Sequence, residues 1–156
     1  PTQGSVFEEI TGKRPGDVFH EIFQVHSNNW VDGEGTDPDA MISQTRTAAK
    51  LFPDKRIVVH VMKPHYPFLG RDEDLDISFE KARYGEVKAQ EVREAYRRNL
   101  DYALQKIVPE LKQSVQGKTA ITADHGELLG ENNRWAHPGG RSEVPLRKVP
   151  WDIVKS

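Results

Sequence analysis

The 156-residue chain contains no cysteine. Disulfides, thiolate metal sites and a cysteine nucleophile are thereby excluded, while the compartment stays open. No apolar run approaches the ~18 residues that a bilayer-spanning helix needs. The opening Pro1-Thr-Gln-Gly also lacks the charged-then-apolar layout of a secretory leader. These absences predict a soluble chain with no membrane span, the cytoplasm being slightly favoured. An excess of one charge is missing too: 22 Lys+Arg stand against 24 Asp+Glu, a formal net charge of -2. Nothing in that balance points to nucleic acid as a partner. Apolar residues are scarce, at 36% against 29% charged, which predicts a small core or a surface covered by something else. The chain begins with Pro rather than Met, as a processed or trimmed product would.

What is present fits a single domain over residues 1–156, long enough to bury about two thirds of its unfolded surface. The first 36 residues are rich in turn formers, and the mixed run Val18-Phe-His-Glu-Ile-Phe-Gln-Val25 reads as a strand or a short helix. Two glycine clusters there carry no function. Gly12-Lys13 is followed by Arg14 and has Phe7 where a phosphate-binding loop needs its first Gly. Asp32, Glu34 and Thr36 alternate as calcium ligands do, but Asp37 takes the place of the loop Gly. Asp37-Pro38-Asp39 signals a helix start, with an apolar face of Met41, Ile42, Thr45, Ala48, Ala49 and Phe52 and a stop at Pro53-Asp54.

Arg56-Ile-Val-Val-His-Val-Met62 is a nearly continuous apolar run and predicts a strand buried on both faces, His60 within it being a hydrogen-bonded core histidine. Residues 70–85 are charged and aperiodic, a surface excursion. Helical spacing returns from Glu86 to Val115, interrupted at Pro109, which should kink the helix or start a new turn. Gly117 stops it before a β-prone run, Thr119-Ala-Ile-Thr-Ala123. Strand, crossover helix and strand predict a right-handed βαβ unit with a parallel pair. Such a unit would deliver the loop Lys63-Pro-His-Tyr-Pro-Phe68 and the pair Asp124-His125 to one sheet edge.

Lys63 and His65 are therefore candidate anion contacts, although His65 between Pro64 and Pro67 also reads as a packed loop histidine. Asp124 and His125 can share a metal only where the strand has ended and the backbone turns, which Gly126 permits. Two readings stay open for them: a strand-end Asp capping the next turn beside an incidental His, or a ligand pair. An Asp oxygen with a His nitrogen suits zinc, manganese or iron, and further carboxylates would extend the choice to magnesium or calcium. His137, in Ala136-His-Pro-Gly-Gly140, is a candidate third ligand or general acid. The tail Val144-Pro-Leu-Arg-Lys-Val-Pro-Trp151 looks built to fold back over the same place.

Three motifs in order carry a resemblance: Val59-His-Val-Met-Lys-Pro-His-Tyr-Pro-Phe68, Ile121-Thr-Ala-Asp-His-Gly-Glu127 and Val144-Pro-Leu-Arg-Lys-Val-Pro150. Together they resemble the C-terminal portion of a sulfatase-like member of the alkaline phosphatase superfamily, of the archaeal sulfatase-like type, over residues 56–153. The resemblance implies part of a three-layer α/β/α fold with a mostly parallel sheet. It implies a divalent metal (Ca, Mg, Mn or Zn) on Asp124 and His125, contact of His65 with sulfuryl or phosphoryl oxygens, and His137 at the metal or leaving group. His65 and His137 would be the catalytic residues, and a sulfate or phosphate ester the substrate. One departure is decisive for activity. Family members carry an N-terminal acidic strand end and a nucleophile in Cys/Ser-x-Pro-x-Arg, or an unmodified Ser or Thr, and none of Ser5, Ser27, Ser43 or Ser78 has a Pro two residues on and an Arg four on. The expectation is part of a metal-dependent ester hydrolase that is inactive alone, or else a degenerate non-catalytic binding domain of the same fold. Unpaired strand edges would also permit a homo-oligomer.

Overall fold

The computed structural model of the chain describes residues 3–31, 35–69 and 77–155. The Asp32–Glu34 turn and the first part of the charged excursion, residues 70–76, lie outside them. Near the N-terminus, α1 (Gln3–Thr11) is followed by two single helical turns, α2 (Pro15–Val18) and α3 (Val25–Asn28). Only Val18 and Val25 of the run over residues 18–25 fall in those turns; residues 19–24 between them are irregular, neither the strand nor the short helix expected. A minimal ribbon, β1 (Trp30–Val31) with β2 (Gly35–Thr36), leads into α4 (Pro38–Leu51). Here the expected start is in place: the Asp37 carboxylate accepts the Asp39 N–H at 3.0 Å, with Pro38 in the first turn. Its buried face is Met41, Ile42, Thr45 and Ala48, the spacing of one helical stripe.

The excursion is not wholly aperiodic. Ser78 caps a short helix, α5 (Phe79–Arg83), which buries Phe79 and Ala82. Next, α6 (Ala89–Tyr102) buries Val92, Ala95 and Asn99, and a π-type turn over Ala103–Ile107 joins it to α7 (Val108–Ser114), with Pro109 in the first turn of α7. Pro109 lacks an N–H to give the preceding turn, so the helix is rebuilt around it rather than running straight through. Gly117, at φ +96, ends the connection to β3 (Lys118–Thr122).

The fold is mixed α/β. Its ladders among the described residues are two-stranded and antiparallel: β1 with β2, β3 with β6 (Trp151–Lys155), and β4 (Leu128–Leu129) with β5 (Trp135–Ala136). The parallel pair expected between residues 56–62 and 119–123 is not among them. Residues 56–62 join no ladder, and half-buried Ile57, Val59 and Val61 alternate with exposed Val58, His60 and Met62. This is the period-two pattern of extended chain lying on one face. Val59 and Val61 rest against Met41, Ala103 and Ile107, whereas Val58 is 79% exposed. The apolar run was therefore misread as buried on both sides, since the described residues cover only one face. His60, expected in the core, is accordingly half exposed, its side chain 50% accessible.

A second apolar cluster positions the chemistry. Phe68, Phe79, Ala82, Val92, Ala95 and Trp135 pack together, so the loop after residue 62, α5, α6 and the β4–β5 hairpin share one core. A last helical turn, α8 (Val144–Arg147), buries Leu146 and brings the tail to β6. There Thr122 donates its hydroxyl to the Pro150 carbonyl at 2.7 Å, and the Gly126 N–H donates to the Leu146 carbonyl at 2.9 Å. The tail thus folds back over the end of β3, as its sequence suggested. No helix among the described residues is long and apolar enough to cross a membrane.

Candidate functional site

Three separate segments meet around one carboxylate. The first is the loop over residues 63–69, which is held by a single buried side chain. Asn99 is fully buried on α6. Its amide NH2 donates toward the carbonyls of Pro64 (3.1 Å), His65 (3.0 Å) and Pro67 (3.0 Å), and its oxygen accepts the Leu69 N–H at 2.8 Å. Proline cannot donate to a ladder, so a loop with Pro64 and Pro67 needs partners of this kind for its carbonyls. Both Lys63–Pro64 and Tyr66–Pro67 are cis. Inside the loop, Lys63 turns its ammonium back to the Pro67 carbonyl at 2.6 Å. His65 places Nδ1 2.8 Å from the Tyr66 carbonyl. A carbonyl only accepts, so Nδ1 carries the proton and Nε2 is left with its lone pair. That Nε2 lies 4.0 Å from Glu127 Oε1.

The second segment begins where β3 ends, at Thr122. Asp124 Oδ1 accepts the His125 N–H at 3.0 Å, while Oδ2 lies 3.7 Å from His125 Nε2 and 3.7 Å from His60 Nε2. His125 Nδ1 is 2.9 Å from the Gly126 carbonyl, which again leaves Nε2 as the free donor of a lone pair. The Asp124 carboxylate is 62% exposed. Gly126 is needed here for close approach rather than for a left-handed turn, because a Cβ built on it would stand 1.9 Å from the Pro145 carbonyl oxygen.

The third segment is the β4–β5 hairpin. Leu128 pairs with Ala136, so the next residues outward, Glu127 and His137, face each other at its open end. His137 Nδ1 lies 2.6 Å from Glu127 Oε1. Ala136, immediately before it, has φ +64, a left-handed conformation that costs a residue with a Cβ about 1–2 kcal/mol. The His137 ring centroid is 4.1 Å from that of His125 and 5.0 Å from that of His65. The Glu127 side chain is only 4% exposed. Tyr96, on α6, is pushed up to about 12, first by burial and then by the negative charge of Glu127.

The structure brings His65, His125 and His137 together and sets Asp124 on the outer side of His125. Lys63 stands in the same loop as His65, with its ammonium engaged by backbone. Glu127 had no role assigned from sequence, although it closes the Asp124-His-Gly-Glu127 motif; the hairpin register makes it central. Asn99 was also missed, and the signal was there: an amide at the third position of an otherwise apolar stripe, Val92, Ala95, Asn99. One oxygen of Asp124 and one nitrogen of His125, 3.7 Å apart, fit the donor set of a divalent ion. Separately, the ligand atoms of His65, Glu127 and His137 all lie within 4.8 Å of one another. Compared with family models, with curated proteins and with solved structures, the chain matches none.

Proposed function

We propose that this chain forms part of a metal-dependent sulfuric- or phosphoric-ester hydrolase and is inactive alone, because it supplies metal and anion contacts but no attacking group. The observation that carries this reading is the meeting of Asp124-His125, His65 and His137, drawn from three separated segments, at the end of β3. The three-motif resemblance to sulfatase-like proteins supports the same roles. Asp124 Oδ2 and His125 Nε2 would hold the divalent ion, which when bound supplies Lewis acidity toward an ester oxygen. With Nε2 protonated as well as Nδ1, His65 would offer a hydrogen bond to an oxygen of the anion, and the His137 ring would do the same or give a proton to the leaving group. Lys63, on the His65 loop, adds positive charge beside that anion.

The partial three-layer α/β/α fold belongs to the same proposal. In its favour, residues 56–62 lie extended against α4 and the π-type turn with no ladder partner among the described residues, as a sheet strand would whose neighbours come from elsewhere. Trp151 and Ile153, on the β3–β6 ribbon, are also largely exposed.

Calorimetric titration with Mg2+ and Mn2+ tests the metal assignment. Weak binding by the unaltered chain, lost in Asp124→Ala, is the expected result, and identical titrations of the two proteins would remove Asp124 from the ligand set. Aryl sulfates and aryl phosphates should show no turnover above a metal-only blank. Turnover abolished by a single substitution within this chain would place a nucleophile inside it.

A further inference from the structure

We infer that His65, Glu127 and His137 form a binding site for a divalent ion of the zinc class, distinct from the Asp124-His125 pair. The inference goes beyond the proposed function: it adds a second ion with a three-residue ligand set, and when that ion is bound the His65 and His137 nitrogens facing Glu127 ligate it instead of donating to an anion. It does not need the hydrolase reading to hold.

Burial comes first. The Glu127 side chain is 4% exposed, and among the described residues no Lys or Arg pairs with it; its hydrogen bond is to His137. A carboxylate taken out of water is costly unless a cation or several donors compensate it. Two imidazoles lie within 4.0 Å of its Oε1, both metal ligands in their neutral form. His65 is already in the ligating tautomer, since the Tyr66 carbonyl takes its Nδ1–H at 2.8 Å and Nε2 is left toward Glu127. Backbone carbonyls hold metal-bound histidines in this way in many sites.

Spacing is the second argument. An ion with bonds of about 2.0–2.2 Å in tetrahedral geometry keeps its ligand atoms roughly 3.3–3.6 Å apart. Two of the three separations, 2.6 Å from Glu127 to His137 and 4.0 Å from Glu127 to His65, bracket that value, and all three lie within 4.8 Å. Small side-chain rotations open the first and close the second. The ion then occupies the place of the proton held between Glu127 and His137, and that proton passes to His137 Nε2 or to solvent. The donor set settles the class: two nitrogens and one carboxylate suit Zn2+ and Co2+, whereas Mg2+ and Ca2+ favour all-oxygen surroundings. Three protein ligands leave further positions open, the pattern of a reactive rather than a purely structural ion.

Cobalt(II) titration of the full chain, read by visible absorption, tests the assignment. Bands that saturate at one ion per chain and disappear on adding zinc are expected. Glu127→Gln and His137→Ala should weaken binding by more than about tenfold, while Asp124→Ala changes it by less than about twofold. Because Glu127 is buried, a mutation-free measurement accompanies these: in histidine-ring NMR of the unaltered chain, zinc should shift the His65 and His137 nitrogens and leave the His26 ring unmoved. No cobalt bands in the unaltered chain, or bands lost in Asp124→Ala and retained in Glu127→Gln, would overturn the site. The second of those results would leave the Asp124-His125 pair standing. Bands lost in Glu127→Gln and in His137→Ala but kept in Asp124→Ala, together with Mg2+ and Mn2+ titrations that ignore Asp124→Ala, would uphold the site and remove that pair.

Discussion

Asp124 and Glu127 are three residues apart, and each stands beside histidines, yet their surroundings differ. Asp124 stands two residues past the end of β3, its side chain 62% exposed, with His60 and His125 each 3.7 Å from its outer oxygen. Glu127 opens the β4–β5 hairpin and is 4% exposed, 2.6 Å from His137 and 4.0 Å from His65. In the exposed group, water competes for every partner, and an ion pair there contributes about 0–1 kcal/mol. In the buried group the same chemical types act in a low-dielectric setting, where each partner counts for more and a missing one costs more. The residue most conspicuous in the sequence is thus not the one most constrained by the fold.

That contrast can be broken from the inner side first. Asn99→Leu keeps the bulk of the side chain but strips the Pro64 and His65 carbonyls and the Leu69 N–H of their partner, the Pro67 carbonyl keeping the Lys63 ammonium. A loss of about 3–4 kcal/mol is expected, read as a lower urea midpoint at unchanged slope. His65 should lose its fixed position, while the Asp124-His125 turn keeps its own hydrogen bonds. A midpoint within experimental scatter of the unaltered chain would show that the loop is held by packing alone.

A smaller effect is expected on the outer side. Gly126→Ala drives a Cβ into the Pro145 carbonyl and strains the Gly126 N–H bond to Leu146, costing about 2–3 kcal/mol and loosening α8 from the turn. Protease cutting within residues 144–150 should increase. Unchanged cutting and stability would mean that the tail shifts freely to make room.

The smallest effect sharpens the electrostatics of the inner group. Tyr96 titrates near 12, above its ordinary 10.0. The folded phenol keeps its proton where the unfolded one has released it, so the stability it contributes is fully present below pH 10 and is lost as the pH climbs towards about 12. A phenolate signal rising near pH 12, absent in Tyr96→Phe, is the expected ultraviolet titration. Glu127→Gln removes the lesser of the two causes, so the midpoint should fall but stay above the ordinary value. A midpoint unmoved by Glu127→Gln would separate the two side chains electrostatically.

Local chemistry made much of the fold legible. Asp37 and Pro38 announce α4 because cap and dipole act within one turn, and Pro109 marks the break between α6 and α7 because a missing N–H is felt where it occurs. The end of β3 before Asp124-His125-Gly126 was legible for the same reason. That residues 56–62 join no ladder among the described residues was not, since they have the composition of a doubly buried strand and composition does not say which neighbours are at hand. His60 went with that misreading.

The candidate site divides along the same line. By itself the sequence determined the ligand-bearing types and the turns that end their elements, because these depend on side-chain chemistry and backbone restriction over a few residues. Only the tertiary structure decided that Glu127 faces His137 and that Asn99 holds the His65 loop. Both follow from a hairpin register and from contacts some thirty residues apart along the chain. Burial, which turns an ordinary carboxylate into a demanding one, exists only once those segments have met.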